Sequence, residues 1–131
     1  MYRITVRAEF CAAHALTISG QPETLHGHNW RVATDLEGYE LDADGLLCDF
    51  HTVESTLLDI LEPFKNSNLN ETEAFATTNP TAELVARHIA EQLHDRLDDA
   101  LAPHARIAEV RVTEAPGCEA AYRPDADARK P

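Results

Sequence analysis

Residues 2–10 alternate strictly between apolar and polar side chains, and this alternation constrains the fold more than any other stretch of the chain. The even positions are apolar, whereas the odd positions are Arg3, Thr5, Arg7 and Glu9. Because successive side chains of a β-strand point to opposite faces of a sheet, the pattern predicts a strand with one buried face. A secretory signal peptide needs a continuous apolar stretch instead, so we expect a cytoplasmic protein.

A second alternation over residues 30–37 predicts another strand, which ends at Gly38. Large apolar side chains such as Trp30 share one face of this strand, and charged side chains dominate the other face. Continued towards the N-terminus, the same alternation puts His26 and His28 on the apolar side. The strand is therefore predicted to bring two histidines to the covered face of the sheet.

Two helical patterns follow these strands. The first begins at Asp49, whose short carboxylate suits an N-cap, and it ends near Pro63. The second is longer, and we predict Asn79 as its N-cap and Pro80 as its first helical residue. Residues 66–78, between the two patterns, have no clear period and are predicted to form a loop. The predicted inward stripes are Val53, Leu57, Ile60 or Leu61, and Phe64 in the first helix, and Ala82, Val85, Ile89, Leu93 and Leu97 in the second.

Period-two patterns return at residues 107–115 and, more weakly, at 118–123. The order of two strands, two helices and two strands predicts an α+β fold in which both helices pack on one face of the sheet. A chain of 131 residues has the length of one domain, which we assign to residues 1–124. The polar segment 125–131 is expected to be a disordered tail.

The charge of the chain limits its partners. The formal net charge is −12, and sequence-independent nucleic-acid binding needs Lys and Arg to displace counterions from phosphates. No apolar run approaches the roughly 18 residues of a membrane span. We therefore expect neither a nucleic acid nor a membrane among the partners.

The stretch "ETLHGHNW" carries His26 and His28 two residues apart on a predicted strand. Their Cα atoms would then be about 6–7 Å apart on one face, close enough for both imidazoles to contact one ion. A catalytic zinc site needs a third protein ligand, and strand parity makes His14 the best candidate. The alternative is that these histidines are hydrogen-bonded residues without a metal.

Glu114 continues the parity of the apolar residues Val110 and Val112, which places a carboxylate on the apolar face at the end of a strand. One interpretation is that the strand has ended and the side chain reaches water. The other is a pocket acid, because one carboxylate can accept two parallel N–H bonds from the 2-amino-pyrimidinone edge of a pterin or guanine.

Several motifs together resemble the 6-pyruvoyltetrahydropterin synthase family, which includes the bacterial 6-carboxytetrahydropterin synthases. The matching motifs occur in the family's order and spacing over residues 1 to about 124. They are "FCAAHAL", "LHGHNW", "GLLCDF", "LN" at 69–70, "NPTAE", and "VRVTEA" followed by "AAY". The combination of "LHGHN" with the upstream "AAH" is the most specific part of the resemblance.

The resemblance implies a tunnelling fold, in which an antiparallel four-stranded sheet carries two helices on one face. It implies assembly of the sheets into a trimeric barrel and then into a hexamer of two trimers, with a pocket for a pterin-like molecule between subunits. By the same resemblance, His14, His26 and His28 would hold zinc. Glu114 would anchor the pterin ring, and Thr81 would add polar contacts.

The chain departs from the family pattern at the residues that move protons. Pro22 occupies the position of the cysteine that acts as the base, and Lys65 and Asn66 occupy the positions of an Asp-His pair. Glu23 adjoins the first of these positions, and some relatives use a glutamate in this loop. Glu23 is thus either a replacement base or an exposed loop acid.

Two hypotheses follow. In the first, the chain is a homologue with a pterin-binding pocket that does not catalyse the synthase reaction. In the second, it is an active zinc-dependent lyase acting on 7,8-dihydroneopterin triphosphate, with Glu23 as base. The sequence favours the first, because losing a positioned general base typically costs about 10² to 10⁴ in rate.

Overall fold

The computed structural model describes residues 1–124, so the tail predicted for 125–131 lies outside the described residues. Helices and strands follow one another in an order close to the prediction. In chain order they are β1 (Tyr2–His14), β2 (Thr17–Ile18), β3 (Gln21–Pro22), β4 (His26–Gly38), α1 (Phe50–Leu61), β5 (Ser67–Asn68), α2 (Ala82–Leu101), β6 (Arg106–Ala115) and β7 (Cys118–Tyr122).

The main sheet has the strand order β5-β1-β4-β6-β7. Its four long strands run antiparallel to one another, as predicted. The prediction of four strands is incomplete, because β5 pairs in parallel with Ala12 and Ala13 at the end of β1. A separate hairpin of β2 and β3 follows β1 directly.

The segment predicted as a loop at 66–78 is more ordered than its sequence suggested. It contains β5 and two turns of 3-10 helix, Leu69–Glu71 and Glu73–Phe75, and it buries Leu69 and Phe75 in the core. Elements of two or three residues are too short to show a period, which explains the error.

The predicted start of α1 is confirmed. The Asp49 carboxylate accepts a hydrogen bond of 2.8 Å from the backbone N–H of His51, and this satisfies a donor that the first turn leaves free. After Leu61 the chain tightens into a 3-10 turn, Glu62–Phe64, that contains Pro63.

The predicted cap of α2 is wrong by two residues. Thr81 is the N-cap, and its hydroxyl accepts a hydrogen bond of 3.1 Å from the backbone N–H of Leu84. The Asn79 side chain is engaged elsewhere, because its amide donates to the carbonyl of Thr17 and accepts from the N–H of Thr17. Pro80 therefore precedes the helix instead of opening it. Within the described residues, no helix is both long and apolar enough to cross a membrane.

The core lies between the sheet and the two helices. Helix α1 packs against β1, and α2 packs against β6 and β7. The even-numbered side chains of β1 and β4 enter this core except at strand ends, where Tyr2 and His26 are exposed. Phe10 and Trp30 are both buried, and their rings stack with centroids 5.8 Å apart. The strand parity read from the sequence thus predicts the buried face correctly.

The opposite face of the sheet is polar but not fully exposed. Asp35 is completely buried there, although its place in the alternation suggested a solvent-facing position. Its carboxylate pairs with Arg111 and accepts a hydrogen bond of 2.7 Å from the Thr5 hydroxyl. Burial alone would raise the pKa of Asp35, but the hydrogen bonds from Arg111 and Thr5 outweigh burial and hold this pKa below its ordinary value.

We expect Asp35→Asn to destabilise the fold by about 2–3 kcal/mol at pH 7. Breaking a fully buried ion pair costs about 3–5 kcal/mol, and the partner Arg111 keeps some contact with water. Because the folded-state pKa is depressed, the contribution is complete above the ordinary value of 3.8 and is lost as the pH falls below it. Chemical denaturation from pH 7 to below pH 4 tests this, with Asp59→Asn on the exposed side of α1 as the control. Equal stability of the two variants at pH 7 would contradict it.

Candidate metal centre

Three histidines meet at one end of the paired strands β1 and β4, the end that adjoins the β2–β3 hairpin. His14 ends β1 and lies directly opposite His26, and the next core-facing position of β4 is His28, opposite Ala12. The ring centroids of the three histidines are 4.7 to 5.1 Å apart. The structure therefore brings together the three residues that strand parity selected.

Backbone carbonyls fix the orientation of two of these rings. Nδ1 of His14 lies 2.8 Å from the carbonyl oxygen of Pro80, and Nδ1 of His26 lies 2.8 Å from that of Thr24. Since a carbonyl can only accept, both Nδ1 atoms carry hydrogen and donate. In the neutral ring each Nε2 then presents a lone pair, which is the arrangement that metal-binding histidines usually have.

Trp30 closes the inner side of the histidine cluster. Its indole N–H donates a hydrogen bond of 3.1 Å to the carbonyl of Ala12, and the rings of His14 and His28 meet it edge to face. Burial lowers the pKa of His28, against a smaller opposing effect of the Glu114 carboxylate. His28 is thus held in the neutral form that binds metals.

Glu114 joins the histidine cluster from β6. One of its carboxylate oxygens, Oε1, lies 2.7 Å from Nε2 of His14 and 3.4 Å from Nε2 of His28. The carboxylate is not aligned to accept a hydrogen bond from either ring, and both Nε2 atoms are buried without a hydrogen-bond partner. Unpartnered buried nitrogens are costly, and two of them face the same small space.

The four residues fit a metal ion. One donor atom from each of His14, His26, His28 and Glu114 can be chosen so that all lie within 4.8 Å of one another. Donors around a tetrahedral zinc are about 3.3 Å apart, given Zn–N distances of about 2.0–2.1 Å, so small side-chain movements would complete a site. Three imidazoles with a carboxylate or water are a donor set that suits zinc.

Two cavities border the histidine cluster. One of about 280 Å³ lies beside Glu114 and is also lined by His28, Arg31 and Thr113. The other, of about 460 Å³, lies across β4 and β1 and is lined by His28, Asn66 and others. His28 is the histidine that the two cavities share. Both cavities therefore adjoin the cluster at His28, and the smaller one also adjoins it at Glu114.

The predicted base position lies beside the cluster, in the loop that enters β4. Pro22 pairs with Thr17 in the β2–β3 hairpin and offers no titratable group. The next residue, Glu23, is exposed, and its carboxylate accepts a hydrogen bond of 2.9 Å from the N–H of Leu16. Glu23 is close enough for its charge to act on His28.

The other predicted residues lie around the same region with different contacts. Lys65 and Asn66 are exposed in the turn before β5, and the N–H of Asn66 donates to the carbonyl of Cys11 at 2.7 Å. Asn66 lines the larger cavity. Thr81 is half-buried and uses its hydroxyl to cap α2.

Sequence reasoning missed the groups that orient the histidines. The carbonyls of Pro80 and Thr24 hold His14 and His26, and the Asn70 amide bridges the N–H and carbonyl of Ala15 just after β1. A backbone carbonyl leaves no mark in a sequence. Asn70 and Pro80 fall within "LN" and "NPTAE", so the resemblance marked the right places without explaining them.

Known proteins resemble the chain over most of its length. The family model of 6-pyruvoyl tetrahydropterin synthase matches residues 3–125. The chain belongs to this family. Among curated proteins, it is 29% identical over 110 residues to the 6-carboxy-5,6,7,8-tetrahydropterin synthase of Bacillus subtilis, a match that covers 81% of this chain and 73% of the relative.

Solved structures of the family share the fold. The 6-pyruvoyl tetrahydropterin synthase of Caenorhabditis elegans matches with a TM-score of 0.81 at 23% identity, over 95% of this chain and 96% of that one. The Plasmodium vivax synthase matches with a TM-score of 0.79 at 19% identity, over 95% and 98% of the two chains. Two further structures of the Plasmodium vivax protein carry alanine or cysteine in place of a glutamate described as a catalytic residue. The tunnelling fold expected from the sequence is confirmed.

Proposed function

We propose that the chain is a zinc-dependent enzyme that acts on the side chain of a pterin-like small molecule, the second of the two hypotheses above, in which Glu23, three residues before His26, replaces the missing base. The observation that carries this proposal is the convergence of three imidazoles, two of which have unpartnered Nε2 atoms that face one space. In an ordinary core these nitrogens would be hydrogen-bonded. Hydrogen bonds from Nδ1 to backbone carbonyls orient His14 and His26 as ligands, and the family of the chain is one of pterin synthases.

His14, His26 and His28 would hold the zinc. When bound there, zinc supplies Lewis-acid chemistry by polarising oxygens of the substrate side chain. Neighbouring protein groups position the imidazoles. Trp30 closes the inner side of the cluster, and the carbonyls of Pro80 and Thr24 keep two imidazoles aimed at the ion.

Glu23 is our candidate for the base. It lies three residues before His26, in the loop that leads into the cluster, and it is exposed to whatever molecule enters. Its carboxylate has a second oxygen, Oε2, besides the Oε1 that accepts from Leu16, so it can also accept a proton from a substrate carbon. A related synthase of the same fold is described as using a catalytic glutamate, which supports this assignment.

The substrate that fits the family is 7,8-dihydroneopterin triphosphate, from which triphosphate would be eliminated as in a lyase. Glu114 borders the cavity of about 280 Å³ and would accept two N–H bonds from the amino-pyrimidinone edge of the ring. Thr81 would contribute polar contacts near the ring, because its hydroxyl accepts from the N–H of Leu84 when it caps α2 and can still donate its own O–H.

A second candidate function is pterin binding without the synthase reaction. The observation that favours it is that Pro22 replaces the cysteine of the family pattern, and Lys65 and Asn66 replace its Asp-His pair. In addition, the Glu23 carboxylate already accepts a bond from Leu16. In this case the pocket would retain a ligand that it does not convert.

We also propose a cytoplasmic homo-oligomer, a hexamer built from two trimers. The support lies in the ends of the sheet, because in the described residues β7 pairs only with β6 and most of β1 pairs only with β4. Open edges of this kind are favourable for pairing with another subunit. Light scattering of the purified protein measures the mass of the assembly, which should be that of a hexamer.

Elemental analysis of the purified protein tests the metal assignment. Our proposal expects stoichiometric zinc that chelators remove and added zinc restores. A fluorescence titration with neopterin then tests the pocket, with saturable binding as the expected result. Zinc content no higher than background, even after zinc is added, would contradict the proposed enzyme, and a lack of pterin binding would contradict both candidate functions.

A further inference from the structure

Glu114 is placed to do more than bind a pterin ring. It is the extra residue of a β-bulge, because β6 advances from Thr113 to Ala115 while β7 retreats only from Glu119 to Cys118. Bulges redirect side chains and are common beside active sites. Glu114 thus has no partner residue on β7, and its carboxylate lies against the imidazoles of His14 and His28.

The contact between Glu114 and His14 needs a cation. Nε2 of His14 is an acceptor in the tautomer that the Pro80 carbonyl imposes, and Oε1 of Glu114 is also an acceptor. Two acceptors 2.7 Å apart repel each other unless a proton or a metal ion lies with them, and the carboxylate is not aligned to accept a hydrogen bond from this ring. A metal ion held by the three histidines supplies the positive charge, and a carboxylate suits its fourth position.

The same carboxylate also faces the space where a ligand would bind. Glu114 lines the cavity of about 280 Å³ and keeps 26% of its side chain exposed, whereas His14 is completely buried. One carboxylate cannot fully coordinate a metal ion and accept both N–H bonds of a pterin edge at the same time, because the two interactions compete for its lone pairs.

We propose that Glu114 is the fourth ligand of the metal while the pocket is empty, and that it leaves the metal when a pterin binds. Binding of the ring edge then frees one coordination position for the side chain of that same molecule. This inference rests on the proposed zinc site and adds to it a coupling between the pocket and the metal. By linkage, the bound metal weakens binding of the ring edge by the same factor by which the ring edge weakens binding of the metal.

Cobalt(II) is the probe for this proposal, because its visible absorption reports coordination in a zinc site. We expect Glu114→Gln to reduce Co²⁺ affinity in the absence of pterin by at least about 10-fold, and to change the absorption spectrum. The control is Glu119→Gln, an exposed glutamate on the adjacent strand. Circular dichroism establishes that each variant is folded, and Glu114→Asp serves as a second variant with a shorter reach.

Release of Glu114 is tested with 6-methylpterin, which carries the amino-pyrimidinone edge but no side-chain hydroxyl for the metal. Its binding should change the Co²⁺ spectrum of the wild-type protein towards that of Glu114→Gln. Unchanged Co²⁺ affinity and spectrum in a folded Glu114→Gln protein would overturn this inference alone. If Co²⁺ does not bind the wild-type histidine cluster, both this inference and the proposed function are overturned.

Discussion

Replacing His26 with glutamine should abolish stoichiometric zinc binding. His26 supplies one of the three imidazoles. Removing only the hydrogen-bond partner of a metal ligand typically lowers the affinity for the metal by about 10- to 100-fold. The loss of a ligand itself should exceed that range. His26 is the most exposed of the three, so its replacement perturbs the core least. Glutamine also keeps an amide donor that can reach the Thr24 carbonyl.

The matched control is His51→Gln, on the exposed side of α1. We expect this variant to retain zinc at the wild-type level, as measured by elemental analysis after dialysis against a weak chelator. Thermal unfolding of both apo-proteins tests whether the folds are equivalent. Full zinc occupancy in His26→Gln would contradict the three-histidine site.

Replacing Glu23 with glutamine should reduce turnover of 7,8-dihydroneopterin triphosphate by about 10² to 10⁴-fold, the typical contribution of a positioned general base. Glutamine keeps an oxygen that can accept from the N–H of Leu16, so the loop should retain its conformation. Zinc content and pterin affinity should be unchanged. The change would therefore lie in kcat.

Glu54→Gln, on the exposed side of α1, is the control for this substitution. Rates from single-turnover experiments separate the chemical step from product release. A Glu23→Gln protein with wild-type kcat would exclude Glu23 as the base. If the wild-type protein binds pterin but shows no turnover at all, the second candidate function is the correct one.

Strand parity is the main basis of the sequence prediction of the site. It depends only on neighbouring residues, so the alternation of apolar and polar side chains is enough to place His14, His26 and His28 on the same face of the sheet, although His26 is exposed there. The structure brings all three together. The resemblance to the family adds the fold, including the antiparallel order of the long strands, which the comparisons confirm.

Contacts between distant segments could not be predicted in this way. The alternation assigns Asp35 to a polar face, yet it is buried through a pair with Arg111, which lies 76 residues away. The cap of α2 has the same explanation. Asn79 and Thr81 are both suitable cap residues, and only the hydrogen bonds between Asn79 and Thr17 decide between them.

Glu114 shows most directly what strand parity cannot predict. Its parity predicts the correct face, but no sequence pattern indicates the bulge that leaves it unpaired beside His14. The resemblance therefore assigns Glu114 to the pterin ring and not to the metal. Distances of a few ångströms decide between these roles, and such distances depend on the register of β6 with β7.

The most direct test of the zinc-dependent reaction is to follow 7,8-dihydroneopterin triphosphate by liquid chromatography in three preparations of the same protein. These are the zinc-loaded, the chelator-treated and the zinc-restored protein. Our account predicts release of triphosphate by the first, loss of this activity in the second and its return in the third. A protein with full zinc occupancy that leaves the substrate intact, or turnover that chelation does not affect, would contradict it.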